Sequence, residues 1–304
     1  MIIMTEIKFF LILLFFINAN ISYAIPKLDK SQDKLFNSIL NQTLTKFQVK
    51  NYFDEASGKN LQYNLFLPDD YDESNKYPVI FFIADGSSVG KDADFSLKQG
   101  YGGIIWASDY EQSKHKCIVI VPVYSGVILD DHRGFTVSDY IDVTKNFIDF
   151  AIKNYSIDTK KIYATGQSMG CMTFLYLASK YPDLFTAELF VSGQWDINEL
   201  KGIESQKFFY VTAAGDDKAS TGQSEVIKMF ENDNIEFKYF NDVNALKPDL
   251  NVNVREFSNK NFVRFKLGSV LPESLSIGTP EHMFSFDFAY KIEAVRDWLF
   301  NQSK

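Results

Sequence analysis

Three side chains in this sequence could carry out nucleophilic chemistry together if the fold brought them within reach of one another. They are a serine set between glycines, a histidine near the C-terminal end and an aspartate in between. The serine is Ser168 in Gly166-Gln167-Ser168-Met169-Gly170, a G-x-S-x-G pattern. Its hydroxyl is a poor nucleophile until a base takes the proton and a carboxylate fixes the tautomer of that base. The chain has 3 histidines, at 115, 132 and 282. Only His282 follows Ser168, as the order Ser, then Asp or Glu, then His requires when the serine sits on a strand-to-helix turn.

The acid should leave a strand end between Ser168 and His282. The run Tyr210-Val211-Thr212-Ala213-Ala214-Gly215-Asp216-Asp217 supplies two candidates. Asp216 is preferred, Asp217 is the close second, and Asp196 in Gly193-Gln194-Trp195-Asp196 is an outsider. His115, between two lysines, reads as a solvated surface residue. His132, in Asp130-Asp131-His132-Arg133, reads as a partner of its carboxylates or part of a pocket rim. A reversed order His132, Asp142, Ser168 remains open but abandons the logic of the turn. Met169 N–H, directly after the nucleophile, is the natural first donor to an oxyanion. The second falls to Asp85 or Gly86, in the small-residue loop Asp85-Gly86-Ser87-Ser88 after an apolar strand. Trp195 and Gln167 are the candidates for lining a substrate pocket.

The elements that must position these groups alternate. Ile162 to Thr165 reads as a strand, the glycines as a sharp turn, and Cys171, Met172, Phe174, Leu175, Leu177 and Ala178 as the apolar stripe of a helix running to about Lys180. Upstream, Leu44 to Val49 and Leu61 to Leu67 alternate across Ser57-Gly58-Lys59-Asn60, which predicts a β-hairpin. Pro78 to Ala84 and Cys117 to Pro122 are continuous apolar runs, the pattern of strands buried on both faces. Helices are expected over Gly102–Ser113, Thr136–Asn154, Thr221–Asn232 and Phe284–Phe300. Further strands are expected over Leu189–Gly193, Lys207–Ala214, Ile235–Phe240 and Asn261–Leu267. Alternation of this kind predicts a mostly parallel sheet covered by helices on both faces, with an antiparallel hairpin at the N-terminal side.

The whole chain bounds the rest. Of its 304 residues, the first 24 combine Lys8, a short apolar run Phe9–Ile17 and small residues at Ser22 and Ala24. That is the pattern of a secretory signal cleaved after Ala24, and its apolar core is shorter than the roughly 20 residues a bilayer span needs. Residues 25–304 then form a single domain, exported to the periplasm or the medium, with no stable membrane anchor. Removing Glu6 and Lys8 from 39 acidic and 31 basic residues leaves the net charge at −8. An acidic chain with no Lys/Arg cluster argues against nucleic acid as a partner. Cys117 and Cys171 sit in apolar surroundings and are expected as unpaired core thiols. Neither C-x-x-C nor a His/Asp cluster of ligand spacing is apparent, so no metal or other cofactor is expected.

Three blocks carry a family resemblance. Tyr63-Asn64-Leu65-Phe66-Leu67-Pro68-Asp69-Asp70-Tyr71 with Tyr77-Pro78-Val79-Ile80, the block Ile157 to Gly170, and His282 with Val295-Arg296-Asp297-Trp298-Leu299 resemble secreted α/β-hydrolases of the predicted peptidase/esterase group. That group is similar to polyhydroxybutyrate depolymerases, feruloyl and acetyl esterases and prolyl-oligopeptidase-type domains. The likeness runs from about Leu61 to Asn301. It implies an α/β-hydrolase fold and a Ser168–His282–Asp216 triad that cleaves carboxylic esters of small molecules through an acyl-enzyme. A serine peptidase on the same fold and a non-catalytic binding module with a decayed site are the alternatives. The chain departs from the family's frequent His-Gly-x-Gly after the third strand, having Ala84-Asp85-Gly86-Ser87 instead.

Overall fold

The computed structural model describes residues 30–247 and 257–304. The expected signal segment, the loop around Pro248 and most of the stretch from Asn251 to Phe257 lie outside the described residues. The chain opens with α1 (Lys34–Thr43), then the hairpin β1 (Gln48–Asp54) and β2 (Lys59–Phe66), and β3 (Tyr77–Ile83). Short helices α2 (Phe95–Lys98), α3 (Tyr101–Ile104) and α4 (Asp109–Lys114) lead to β4 (Ile118–Val123). A small pair, β5 (Leu129–Asp130) and β6 (Thr136–Val137), precedes α5 (Tyr140–Asn154), β7 (Ile157–Gln167) and α6 (Met169–Lys180). The C-terminal half runs β8 (Ala187–Val191), β9 (Phe208–Ala213), α7 (Asp217–Asn232), β10 (Lys238–Val243), β11 (Lys260–Phe265), α8 (His282–Lys291) and α9 (Glu293–Phe300).

Nine strands make one sheet in the order β1-β2-β4-β3-β7-β8-β9-β11-β10. The hairpin and its junction with β4 are antiparallel, and every other pairing is parallel. Period-two alternation within the apolar runs divides the core in two. Val79, Phe81 and Ile83 of β3 face one cluster with α5, α6 and α7. Ile80, Phe82 and Ala84 face the other, with α1, α3, α8 and α9. Burying both faces is what the unbroken hydrophobic strands required. This is an α/β-hydrolase architecture.

From β3 the chain crosses to β4 on one side and returns as β7 on the other. Loops leaving the carboxyl ends of β3 and β7 therefore diverge, and a crevice opens between them. The Asp85–Ser88 turn and Ser168 are those two loops.

Several boundaries differ from the expected ones, each for a local reason. Thr136 and Val137 pair with Leu129 and Asp130 instead of starting the helix, so α5 begins at Tyr140. The helix expected over Gly102–Ser113 is broken at Ser108, whose extended backbone and side chain cap α4. The closing helix breaks at Ile292, where the backbone turns extended. Residue Asp216 caps α7, which starts four residues earlier than expected. His115 is not a solvated residue: its ring stacks on Phe300 at 4.5 Å and bonds Asp297 at 2.7 Å. The two cysteines are free and buried, one in each core cluster on opposite faces of the sheet. Burial pushes both thiols above their ordinary range.

Candidate active site

The turn from β7 into α6 places Ser168 at φ 51° and ψ −115°, a conformation that a serine adopts only under constraint. Close packing supplies the constraint. A Cβ on Gly166 would lie 2.5 Å from the carbonyl carbon of Gly170, and one on Gly170 would overlap the carbonyl oxygen of Ile83. Only glycine lets α6 cross the end of β3 so closely. The serine N–H donates to Val191 O at 3.0 Å, which ties the turn to β8.

His282 is the first residue of α8, and the loop before it carries the ring over the sheet edge. Its Nε2 lies 2.8 Å from Ser168 Oγ, and its Nδ1 lies 2.8 Å from Asp216 Oδ2. Asp216 is 4% exposed, and its other oxygen faces the N–H of Ala219. Asp217 is exposed at the start of α7 and makes no bond to the imidazole. Burial pulls the His282 pKa down. The hydrogen bond to Asp216, that residue's charge, and the charges of Asp85 and Asp131 outweigh this and raise it above its ordinary 6.5. A hydroxyl, an imidazole and a buried carboxylate in this line can move the hydroxyl proton to Nε2 while the carboxylate steadies the resulting cation.

Two residues at helix starts border the same space. Met169 opens α6 and Gly86 opens a short 3-10 turn, so neither N–H has an acceptor within its own helix. Both residues line, with Ser168 and His282, a cavity of about 960 Å³. Asp85, the alternative donor, does not line it. Its carboxylate is buried and accepts from Ser87 N at 2.8 Å and Gln167 Nε2 at 3.0 Å.

The two residues expected to line the pocket do not. Gln167, on the strand side of the turn, spends its amide on Asp85 and on Gln99 Oε1 at 3.2 Å, bracing the Asp85–Ser88 turn from behind. Trp195 is buried, donates from Nε1 to Glu199 at 2.8 Å and packs edge-on to Phe135 and Tyr176. Asp196 caps the turn after it rather than approaching His282. His132 bonds Asp130 at 2.6 Å, not Asp142, so the reversed order has no geometry behind it.

Sequence reasoning missed most of the cavity wall. Val127, Leu129, Met172, Leu267 and Ile277 give it an apolar lining, the last two from the stretch between β11 and His282. Asp131 accepts from Gln194 Nε2 and from Lys218 Nζ, the latter at 2.9 Å, linking the β5–β6 segment to the loop after β8 and to the start of α7. No spacing rule points to such a link. Among the described residues, Asp130, Asp131 and His132 bring possible metal-ligand atoms within 4.8 Å, whereas the sequence shows no His/Asp cluster of ligand spacing. Its carboxylates are already engaged by His132 and by the Lys218 ammonium.

A protein-family model, Esterase, described as "Putative esterase", matches residues 55–214. The match spans the Asp85–Gly86 turn and the serine turn and stops short of Asp216 and His282. Acetylxylan esterase A of Aspergillus ficuum is 42% identical over 155 residues, 48% of this chain and 46% of that protein. A probable acetylxylan esterase A of Aspergillus clavatus is 36% identical over 89 residues, 26% of this chain and 28% of that protein. The chain thus spans from about a quarter to a half of the length of these curated relatives. Among solved structures, a thermostable esterase has a TM-score of 0.69 at 20% identity, covering 86% of this chain and 64% of that one. S-formylglutathione hydrolase from Staphylococcus aureus has a TM-score of 0.54 at 14% identity, covering 84% and 98%. At those identities the likeness is one of fold.

Proposed function

Because this chain belongs to the Esterase family, whose model covers residues 55–214, we propose that it is a serine hydrolase that cleaves carboxylic esters through an acyl-enzyme. The observation that carries the reading is the unbroken line Ser168 Oγ, His282, Asp216, with 2.8 Å at each step.

Ser168 Oγ attacks the ester carbonyl carbon as its proton passes to His282 Nε2. The carbonyl oxygen takes up the electron pair and is held by the N–H groups of Met169 and Gly86. Removing one such donor from comparable sites costs about 10²–10³ in kcat. The tetrahedral species collapses as His282 returns the proton to the departing alcohol. Water then repeats the sequence on the acyl-serine, with His282 first as base and then as acid. Asp216 holds the ring with Nε2 facing the serine and stabilises the imidazolium without becoming protonated.

Short and medium acyl chains fit an open cavity with no long apolar lid segment in the sequence. The acetylxylan esterases among the relatives make acetyl esters of carbohydrates the first natural substrates to assay. The purified protein should hydrolyse nitrophenyl acetate or butyrate, and Ser168→Ala should abolish turnover. A variant that turns over undiminished would refute the assignment.

We also propose that residues 1–24 direct export and that 25–304 form one domain. N-terminal sequencing of the mature protein should begin at Ile25. Among the described residues no helix is long and apolar enough to cross a membrane.

A further inference from the structure

We propose that Glu281 is a positioning residue that joins the loop carrying Asp216, the loop leaving β11 and the segment carrying His282 into one unit. The proposal rests on the reading of Asp216 and His282 given above.

Glu281 is 0% exposed. Its Oε2 accepts the N–H of Gly215, the residue before Asp216, at 2.9 Å. Its Oε1 accepts the N–H of Gly268, in the loop after β11. Its own backbone N–H donates to Gly215 O at 3.1 Å, so the two chains are bonded in both directions. Its carbonyl oxygen accepts from Phe284 and Ser285 and thereby starts α8. One peptide unit separates Glu281 from the base, and one separates Gly215 from the acid. Any displacement of the carboxylate therefore reaches the Asp216–His282 bond directly.

The chemistry of the contact is specific to a carboxylate. Both of its oxygens only accept, matching two N–H donors that point inward. A glutamine of the same shape would set its NH₂ against one of them and leave that donor unsatisfied. Gly215 is cut to fit as well. A Cβ there would lie 2.6 Å from Glu281 Cδ. Burying a carboxylate is costly, and removing it would be repaid if packing alone held these loops.

The test compares wild type, Ser168→Ala, Glu281→Gln and Gly215→Ala, reading kcat, KM, the pH profile and thermal melting. In Glu281→Gln, kcat should fall about 10- to 100-fold, the scale expected for a misplacement near 1 Å, with KM within about threefold. The acidic limb of the profile should also move to lower pH, because a loosened Asp216 raises the His282 pKa less. Asp85 beyond β3 and Asp131 beside β5, which also act on His282, stay in place in both variants. Gly215→Ala, which crowds the same carboxylate, should reproduce both changes and serves if Glu281→Gln does not fold.

A folded Glu281→Gln with wild-type kcat and limb would overturn the proposal. So would a loss of rate fully matched by loss of folded protein, with the limb unmoved. If Ser168→Ala keeps its turnover, the triad reading itself fails and this proposal falls with it. An inactive Ser168→Ala beside an unaltered Glu281→Gln sinks the proposal alone.

Discussion

The two halves of the site are held by different physics. On the nucleophile side, Ser168 is forced into its conformation by contacts too close for any side chain at Gly166 or Gly170. On the acid–base side the close contact is with a side chain instead of backbone, since a Cβ on Gly215 would lie 2.6 Å from Glu281 Cδ. The loops of Asp216 and His282 are joined by discrete polar bonds: Glu281 to Gly215 and Gly268, Ser285 Oγ to His282 O, and Ser192 Oγ to Ser285 Oγ. Steric exclusion acts over one ångström and is nearly all-or-none. Hydrogen bonds are each worth about 0.5–1.5 kcal/mol net, so position on that side comes from their number.

The sharpest way to break the comparison is to attack function on the polar side without touching the packing. Asp216→Asn presents an amide where the imidazole needs an acceptor, which favours the wrong tautomer. The expected loss in kcat is about 10⁴-fold, as for the same change in another serine triad, with little change in melting temperature. The pH profile supplies the sign. Asp216 and the charges of Asp85 and Asp131 outweigh the effect of burial and raise the His282 pKa, and the base works only when neutral. Wild-type activity should therefore fall as the pH drops through a value above 6.5, and in Asp216→Asn the residual activity should fall at a lower pH. A limb that stays put would mean that another group sets it.

The steric side should respond in the opposite sense. In Gly170→Ala the added methyl overlaps Ile83 O, so β3 and α6 must separate. Overpacking of this kind costs about 1–3 kcal/mol, and more where the backbone itself must move. The urea midpoint should drop by an amount that corresponds to at least that loss. A variant as stable as wild type would show that the turn is not held by contact at all.

The same contrast decides what could be read from the sequence. The nucleophile turn is local: five residues, an apolar strand before and an apolar helical stripe after, so its position and its glycines were legible. His282 was legible because so few histidines compete with it. The fold class followed from unbroken apolar strands alternating with helical stripes. The polar ties that span the fold were not legible, because they join residues far apart in the chain, such as Glu281 with Gly215 beside the acid and Gln167 with Asp85 beside the nucleophile turn. The type of such a residue says what it can bond, and only the fold says which partner it meets. Trp195 and Gln167, expected in the pocket, show the same limit. Both have strong chemistry, and both are occupied elsewhere.

The smallest effect sharpens the claim that position on the polar side is shared among many bonds. Ser285 is fully buried, donates to His282 O at 2.8 Å, and lies 2.6 Å from the hydroxyl of Ser192, which is itself buried at the end of β8. Ser285→Ala removes one tie to the base and strands the Ser192 hydroxyl without its partner. An unsatisfied buried hydroxyl costs about 1–3 kcal/mol, so chemical denaturation should show a loss of that order. The rate should hardly change, with kcat within about threefold, because Asp216 and the Glu281 bonds still fix the ring. Removing both hydroxyls in Ser192→Ala/Ser285→Ala leaves no orphan and should recover part of the stability. Ser192 already sits at φ 46°, and alanine is no more strained there than serine. If the single variant lost as much activity as Asp216→Asn, the base would hang on one bond, and the contrast between a packed side and a jointly bonded side would fail.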